Sequence, residues 1–196
     1  PLTFDGKGAD AVAAGDQDSD GKSDLVAVAA GKTYLMLSSR HAFERPEARV
    51  NLPLGGHAVA IGNLNGDPYK DLAVCIRSGV TLIFGSEKGY DMSHSVHLKV
   101  ESPSDIALAD VDGDGLDDVV VANSASAGGA QWADSYVFYS DKGDYSTREP
   151  LRLPTLGASA VSVADLNGDK LPEIVFSNRN VTNQANLLSY IYWNDK

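Results

Sequence analysis

The sequence predicts an all-β fold, a β-propeller of four-stranded blades. Three observations lead there: an acidic motif repeated four times, short β-patterned runs between the copies, and no convincing amphipathic helix. The motif is clearest in GDQDSDGKSDLVAV, residues 15–28, where Asp16, Asp18, Asp20 and Asp24 run straight into apolar residues. Its other copies are NLNGDPYKDLAV from Asn63, DVDGDGLDDVVV from Asp110 and DLNGDKLPEIVF from Asp165. The starts at 16, 63, 110 and 165 are spaced by 47, 47 and 55 residues, a period that a disordered acidic tail would not keep.

Each copy places Asp or Asn at positions 1, 3 and 5, an acid at position 9, and an apolar run directly afterwards. Oxygen ligands at alternate positions of a tight loop converge on one point, which suits a hard cation such as Ca²⁺. The expected ligands are Asp16, Asp18, Asp20 and Asp24 with Lys22; Asn63, Asn65, Asp67 and Asp71 with Tyr69; Asp110, Asp112, Asp114 and Asp118 with Leu116; and Asp165, Asn167, Asp169 and Glu173 with Leu171. Lys22, Tyr69, Leu116 and Leu171 occupy position 7, where the varied side chains leave the backbone carbonyl as the donor. No Cys or His lies in any copy, which disfavours softer metals. An EF-hand needs a Glu at position 12 and flanking helices. Position 12 here is Ala27, Val74, Val121 and Phe176, so the loops belong to β-hairpins instead.

Charge follows the same loops. Thirteen of the chain's 27 acids stand at ligand positions, and four Ca²⁺ would bring the net charge from -11 to -3. The first and third copies, with four carboxylates and Gly21 or Gly115 at position 6, are expected to bind most tightly. The second, with two Asn and Pro68, is expected to be the weakest and the fourth intermediate.

Within each period the β-patterned runs number four, for example DLAVCIR, VTLIFGS, SHSVHLKV and SDIALAD, as a propeller blade requires. A parallel β-helix has much shorter periods, and a sandwich leaves the periodic loop unexplained. Small-residue runs such as DAVAAGD and SAVSVAD suit the crowded inner strand, and bulkier ones such as SYVFYSD the wider part of the blade. Residues 1–196 are read as a single propeller domain or a segment of a larger, for instance seven-bladed, ring. SYIYWNDK at 189–196 matches SYVFYSDK at 135–142, and the opening residues match an outer strand, so the four units are in permuted phase.

The pattern D-x-[DN]-x-D-G-x-x-D-[LIV] followed by a strand, then turns such as FGSEKGY (84–90) and FYSDKGDY (138–145), resembles the FG-GAP and VCBS repeats of integrin-α-like propellers. The resemblance extends over essentially the whole chain. It implies a calcium-binding propeller of the kind found on integrins and on secreted bacterial proteins, with the second copy the clearest departure.

With 196 residues, 43% hydrophobic and 22% charged, the chain is long and apolar enough for one buried core. The -11 charge argues against nucleic acid, and no run approaches the roughly 18 apolar residues of a membrane helix. No charged and apolar leader precedes the folded-looking sequence, so a secretion signal would lie outside it. The lone Cys75 sits among apolar neighbours and reads as a buried structural thiol.

The expected function is a non-catalytic recognition or adhesion module at the cell surface or outside the cell, where millimolar calcium saturates even modest sites. Protein or carbohydrate ligands would meet the propeller-face loops, best of all NSASAGGAQWADS (123–135) with Trp132. A tandem architectural unit that self-associates through its termini, and a polysaccharide lyase or hydrolase, are the alternatives. For the enzyme reading, His57 lacks a nucleophilic partner, and His94 and His97 would fall on opposite faces of a strand. NVT at Asn180 is a formal glycosylation sequon.

Overall fold

The computed structural model describes residues 8–45, 48–125, 132–179 and 188–194. Among these residues fifteen strands form four antiparallel sheets in strict chain order. The first holds β1 (Ala9–Gly15), β2 (Asp24–Ala29), β3 (Lys32–Met36) and β4 (Val50–Leu52). The second holds β5 (Ala58–Gly62), β6 (Asp71–Ile76), β7 (Gly79–Ile83) and β8 (Val96–Lys99). The third holds β9 (Pro103–Ala109), β10 (Asp118–Asn123), β11 (Trp132–Phe138) and β12 (Leu151–Leu156). Among the described residues the fourth has three strands, β13 (Ala158–Ala164), β14 (Glu173–Asn178) and β15 (Tyr190–Tyr192).

Adjacent sheets stack face to face, and the second strand of a blade shows why its sequence is apolar without alternation. In β6 the period-2 geometry sends Ala73 and Cys75 into the core shared with the third blade, and Leu72 and Val74 into the core shared with the first. In β10, Val119 and Val121 face the second blade while Val120 and Ala122 face the fourth. Both faces are dry, so both parities must be hydrophobic. Cys75 is free and fully buried, and burial pushes its thiol up to about 12.

The first strands of the blades pack in succession, β1 on β5, β5 on β9 and β9 on β13. This is the β-propeller arrangement, with the small-residue strands innermost as the sequence predicts. Spokes between the inner strands reinforce it: His57 Nε2 donates to the Pro103 carbonyl at 2.7 Å, Ser104 Oγ to the Ala158 carbonyl at 2.6 Å, and Val161 N–H to Asp105 at 3.0 Å.

Two runs differ from expectation. SHSVHLKV becomes strand only at Val96, because Asp91 caps a single 3-10 turn at Met92–His94 by accepting Ser93 N–H. His94 therefore lies outside the strand and pairs with Asp91 at 2.8 Å, so the opposite-face argument for His94 and His97 does not apply. EARVNLP contributes only Val50–Leu52. The outer-strand match at the start of the chain, residues 1–7, lies outside the described residues, as does Asn180.

Candidate metal centres

All four acidic loops occupy the same place, between the first and second strand of a blade, and position 9 is the first residue of β2, β6, β10 and β14. The loops share one hydrogen-bonded frame. Position 7 N–H donates to the position 5 carboxylate at 2.8 Å in every copy: Lys22 to Asp20, Tyr69 to Asp67, Leu116 to Asp114 and Leu171 to Asp169. Position 1 accepts from backbone N–H groups further along, as Asp16 does from Asp20 and Gly21, and Asp110 from Gly113, Asp114 and Gly115.

The turn needs left-handed backbone at position 4 in all copies: Ser19 at φ 59°, Gly66 at 81°, Gly113 at 80° and Gly168 at 83°. Gly21 and Gly115 at position 6 are also left-handed, and Lys170 adopts the same conformation at φ 75°. In the sequence the glycine pattern at position 4 is broken by Ser19.

The position 9 acids are buried, with Asp24 and Asp118 at 1% exposure and Asp71 and Glu173 at 0%. One oxygen accepts the position 2 N–H: Gln17 to Asp24 at 2.8 Å, Leu64 to Asp71 at 2.7 Å, Val111 to Asp118 at 3.0 Å and Leu166 to Glu173 at 2.7 Å. In the first three blades the other oxygen accepts an N–H just beyond the third strand, from Ser38, Gly85 or Ser140. Each acid thus joins the loop to two strands. Burial pushes Asp71 and Asp118 up to about 6; backbone donors oppose the shift, and Asp67 adds to it for Asp71, Asp112 and Asp114 for Asp118.

Three carboxylates converge in two copies. Oxygens of Asp16, Asp18 and Asp24 all lie within 4.8 Å of one another, and so do those of Asp110, Asp112 and Asp118. An ion bound at about 2.3–2.6 Å holds its oxygens no more than about 5 Å apart, so both sets fit a calcium-sized cation and its preference for hard donors. These are the two copies the sequence ranks tightest. Ser39 Oγ donates to Asp18 at 2.5 Å, and Arg148, stacked 3.5 Å above the Tyr139 ring, reaches Asp112 at 3.3 Å. Both are partial counterweights to the clustered charge.

The other two copies solve the repulsion internally. Asn65 Nδ2 donates to Asp67 at 2.8 Å, and Asn167 Nδ2 to Asp169 at 3.1 Å and Glu173 at 3.3 Å. An amide stands where copies one and three carry a third negative group. Blade-to-blade contacts add donors no single copy reveals: Asn63 N–H donates to Asp117 at 2.7 Å, Asp117 N–H to the Asn63 carbonyl at 2.8 Å, and Ser19 Oγ to the Pro68 carbonyl at 2.9 Å.

Trp132 opens β11 at the end of the third blade opposite these loops, 68% exposed; of its predicted contact loop, residues 126–131 lie outside the described ones.

The blades and their loops define a β-propeller repeat protein. Residues 110–176, from the third acidic loop into β14, match the family model of the FG-GAP-like repeat. Among solved structures it resembles the one described as "Crystal structure of BBS1N in complex with ARL6DN, soaked with lead". The likeness has a TM-score of 0.56 at 11% identity, over 86% of this chain and 50% of that one. The chain therefore spans about half the length of that relative, and the likeness is one of fold. No curated protein matches the chain.

Proposed function

We infer that this propeller is a calcium-stiffened, non-catalytic recognition module that works outside the cell. The observation that carries the reading is the pair of three-carboxylate clusters at the same end of the first and third blades. Calcium supplies the positive charge these clusters lack. Asp16, Asp18 and Asp24 would hold one ion and Asp110, Asp112 and Asp118 another. The Asn-bridged loops at 63–71 and 165–173 take calcium more weakly or not at all. A site with two of its three carboxylates exposed or half-exposed suits millimolar calcium, which favours an extracellular or cell-surface setting.

Recognition fits better than catalysis because His57, the histidine of the enzyme reading that directly precedes inner strand β5, is spent on a blade-to-blade hydrogen bond. Partners are protein or carbohydrate surfaces presented to the blade ends, and the chain's -11 charge opposes nucleic acid.

Thermal unfolding of calcium-loaded and chelator-stripped protein at matched ionic strength tests the metal. Calcium at about 100 times its dissociation constant stabilises by roughly 2.7 kcal/mol per site, a shift of several degrees. An unchanged melting temperature removes calcium from the reading.

A further inference from the structure

We propose that the cleft between the second and third blades, at the end opposite the acidic loops, binds a neutral carbohydrate, with the Trp132 indole as its stacking platform. The proposal rests on the recognition reading and deepens it. The cleft has a volume of about 500 Å³, within the usual range for small-ligand sites. It opens where β8 runs toward β9 and where β10, β11 and β12 end or begin.

Its floor is rigid and already satisfied. Asn123, 2% exposed, accepts from Ser102 N–H at 3.1 Å and donates to the Asp134 carbonyl at 3.0 Å. Thr155, fully buried, donates to the Ala133 carbonyl at 2.9 Å and lies 2.8 Å from Ser135 Oγ. Such a floor holds its shape before a ligand arrives, which lowers the ordering cost of binding.

The rim is where capacity remains. Arg152 is steadied by Asp134 at 3.7 Å and by the Tyr136 ring, 5.8 Å below its guanidinium, and is still largely exposed. Lys99 and Glu101 are exposed on the facing blade and form no ion pair among the described residues. Two cations and two carboxylates cancel in a chain whose net charge is -11. An anionic ligand gains nothing from such a rim. Sugar hydroxyls, each both donor and acceptor, can meet cations and carboxylates together.

Trp132 supplies the apolar part. A large indole left 68% exposed beside fixed polar groups matches a pyranose ring, whose C–H face is apolar and whose edge is hydroxylated. The same indole walls a second hollow of about 430 Å³ next to Tyr190 and Tyr192, so one aromatic ridge separates two sugar-sized spaces. That geometry favours an oligosaccharide over a single ring.

Calcium-loaded protein on an array of neutral and acidic glycans, followed by calorimetric titration of the strongest neutral oligosaccharide, tests the assignment. The expected result is a neutral ligand whose affinity falls at least tenfold in Trp132→Ala and is largely kept in Trp132→Phe, with melting temperatures within about 2 °C of the parent because the side chain is exposed. No neutral ligand, preference for acidic glycans, or affinity indifferent to Trp132→Ala overturns the cleft assignment. A protein ligand that ignores Trp132 overturns it too, while leaving the recognition reading intact. Cleavage products from a bound glycan overturn the non-catalytic reading instead.

Discussion

At Asp118 one carboxylate performs two tasks, accepting N–H groups from Val111 and Ser140 and lying within the Asp110–Asp112 cluster. Asp71 performs only the first, because its loop carries Asn63 and Asn65. Asp118→Asn and Asp71→Asn should therefore cost similar stability, about 1–3 kcal/mol, since each leaves an amide facing a buried N–H. Only Asp118→Asn should also remove a calcium ion. Urea unfolding without metal reads the first effect and calcium stoichiometry by calorimetry the second. Equal loss of calcium in both variants would contradict the separate roles.

Within the loop element, what separates a cation cage from a self-neutralised turn is the residue at position 3, with position 1 adding charge. Replacing Asn63 and Asn65 together by Asp swaps the amide on Asp67 for a third and fourth carboxylate. The double variant should lose stability without metal and gain one bound calcium; a stoichiometry equal to the parent's would show that Pro68 rather than charge limits this loop. Much of this element is legible in sequence, because ligand spacing, position 9 and the strand that follows are local and repeated. The left-handed position 4 is obscured where Ser19 replaces Gly, and Asn65 reads as a neutral ligand until its amide is seen crossing to Asp67. Asp117 carries no signal at all, since its partner Asn63 is brought near only by the packing of one blade on the next. Trp132 is similar: composition marks it as notable, and only the fold decides that it faces solvent.

For the molecule as a whole, two buried acids, Asp71 and Asp118, shape the response to pH. Asp71 and Asp118 titrate near 6 in the folded protein against roughly 3.9 when unfolded. Their favourable contribution is complete below about pH 4 and is lost as pH rises through about 6. Stripped, calcium-free protein should melt a few degrees higher at pH 5 than at pH 7, and saturating calcium at pH 7 should narrow the gap by favouring the ionised form of Asp118. Scanning calorimetry at fixed ionic strength measures both, and a calcium-free protein that is more stable at pH 7 would refute the assignment. The reciprocal pair between Asn63 and Asp117 bears on something else, the exchange of parts between propellers. A graft cut at the edge of a sheet separates the second loop from the residue that fastens it, so a transplanted blade arrives with its turn half untied. At this seam the transferable cassette is the second sheet together with the acidic turn of the third, and recombination in that phase keeps the seam fastened.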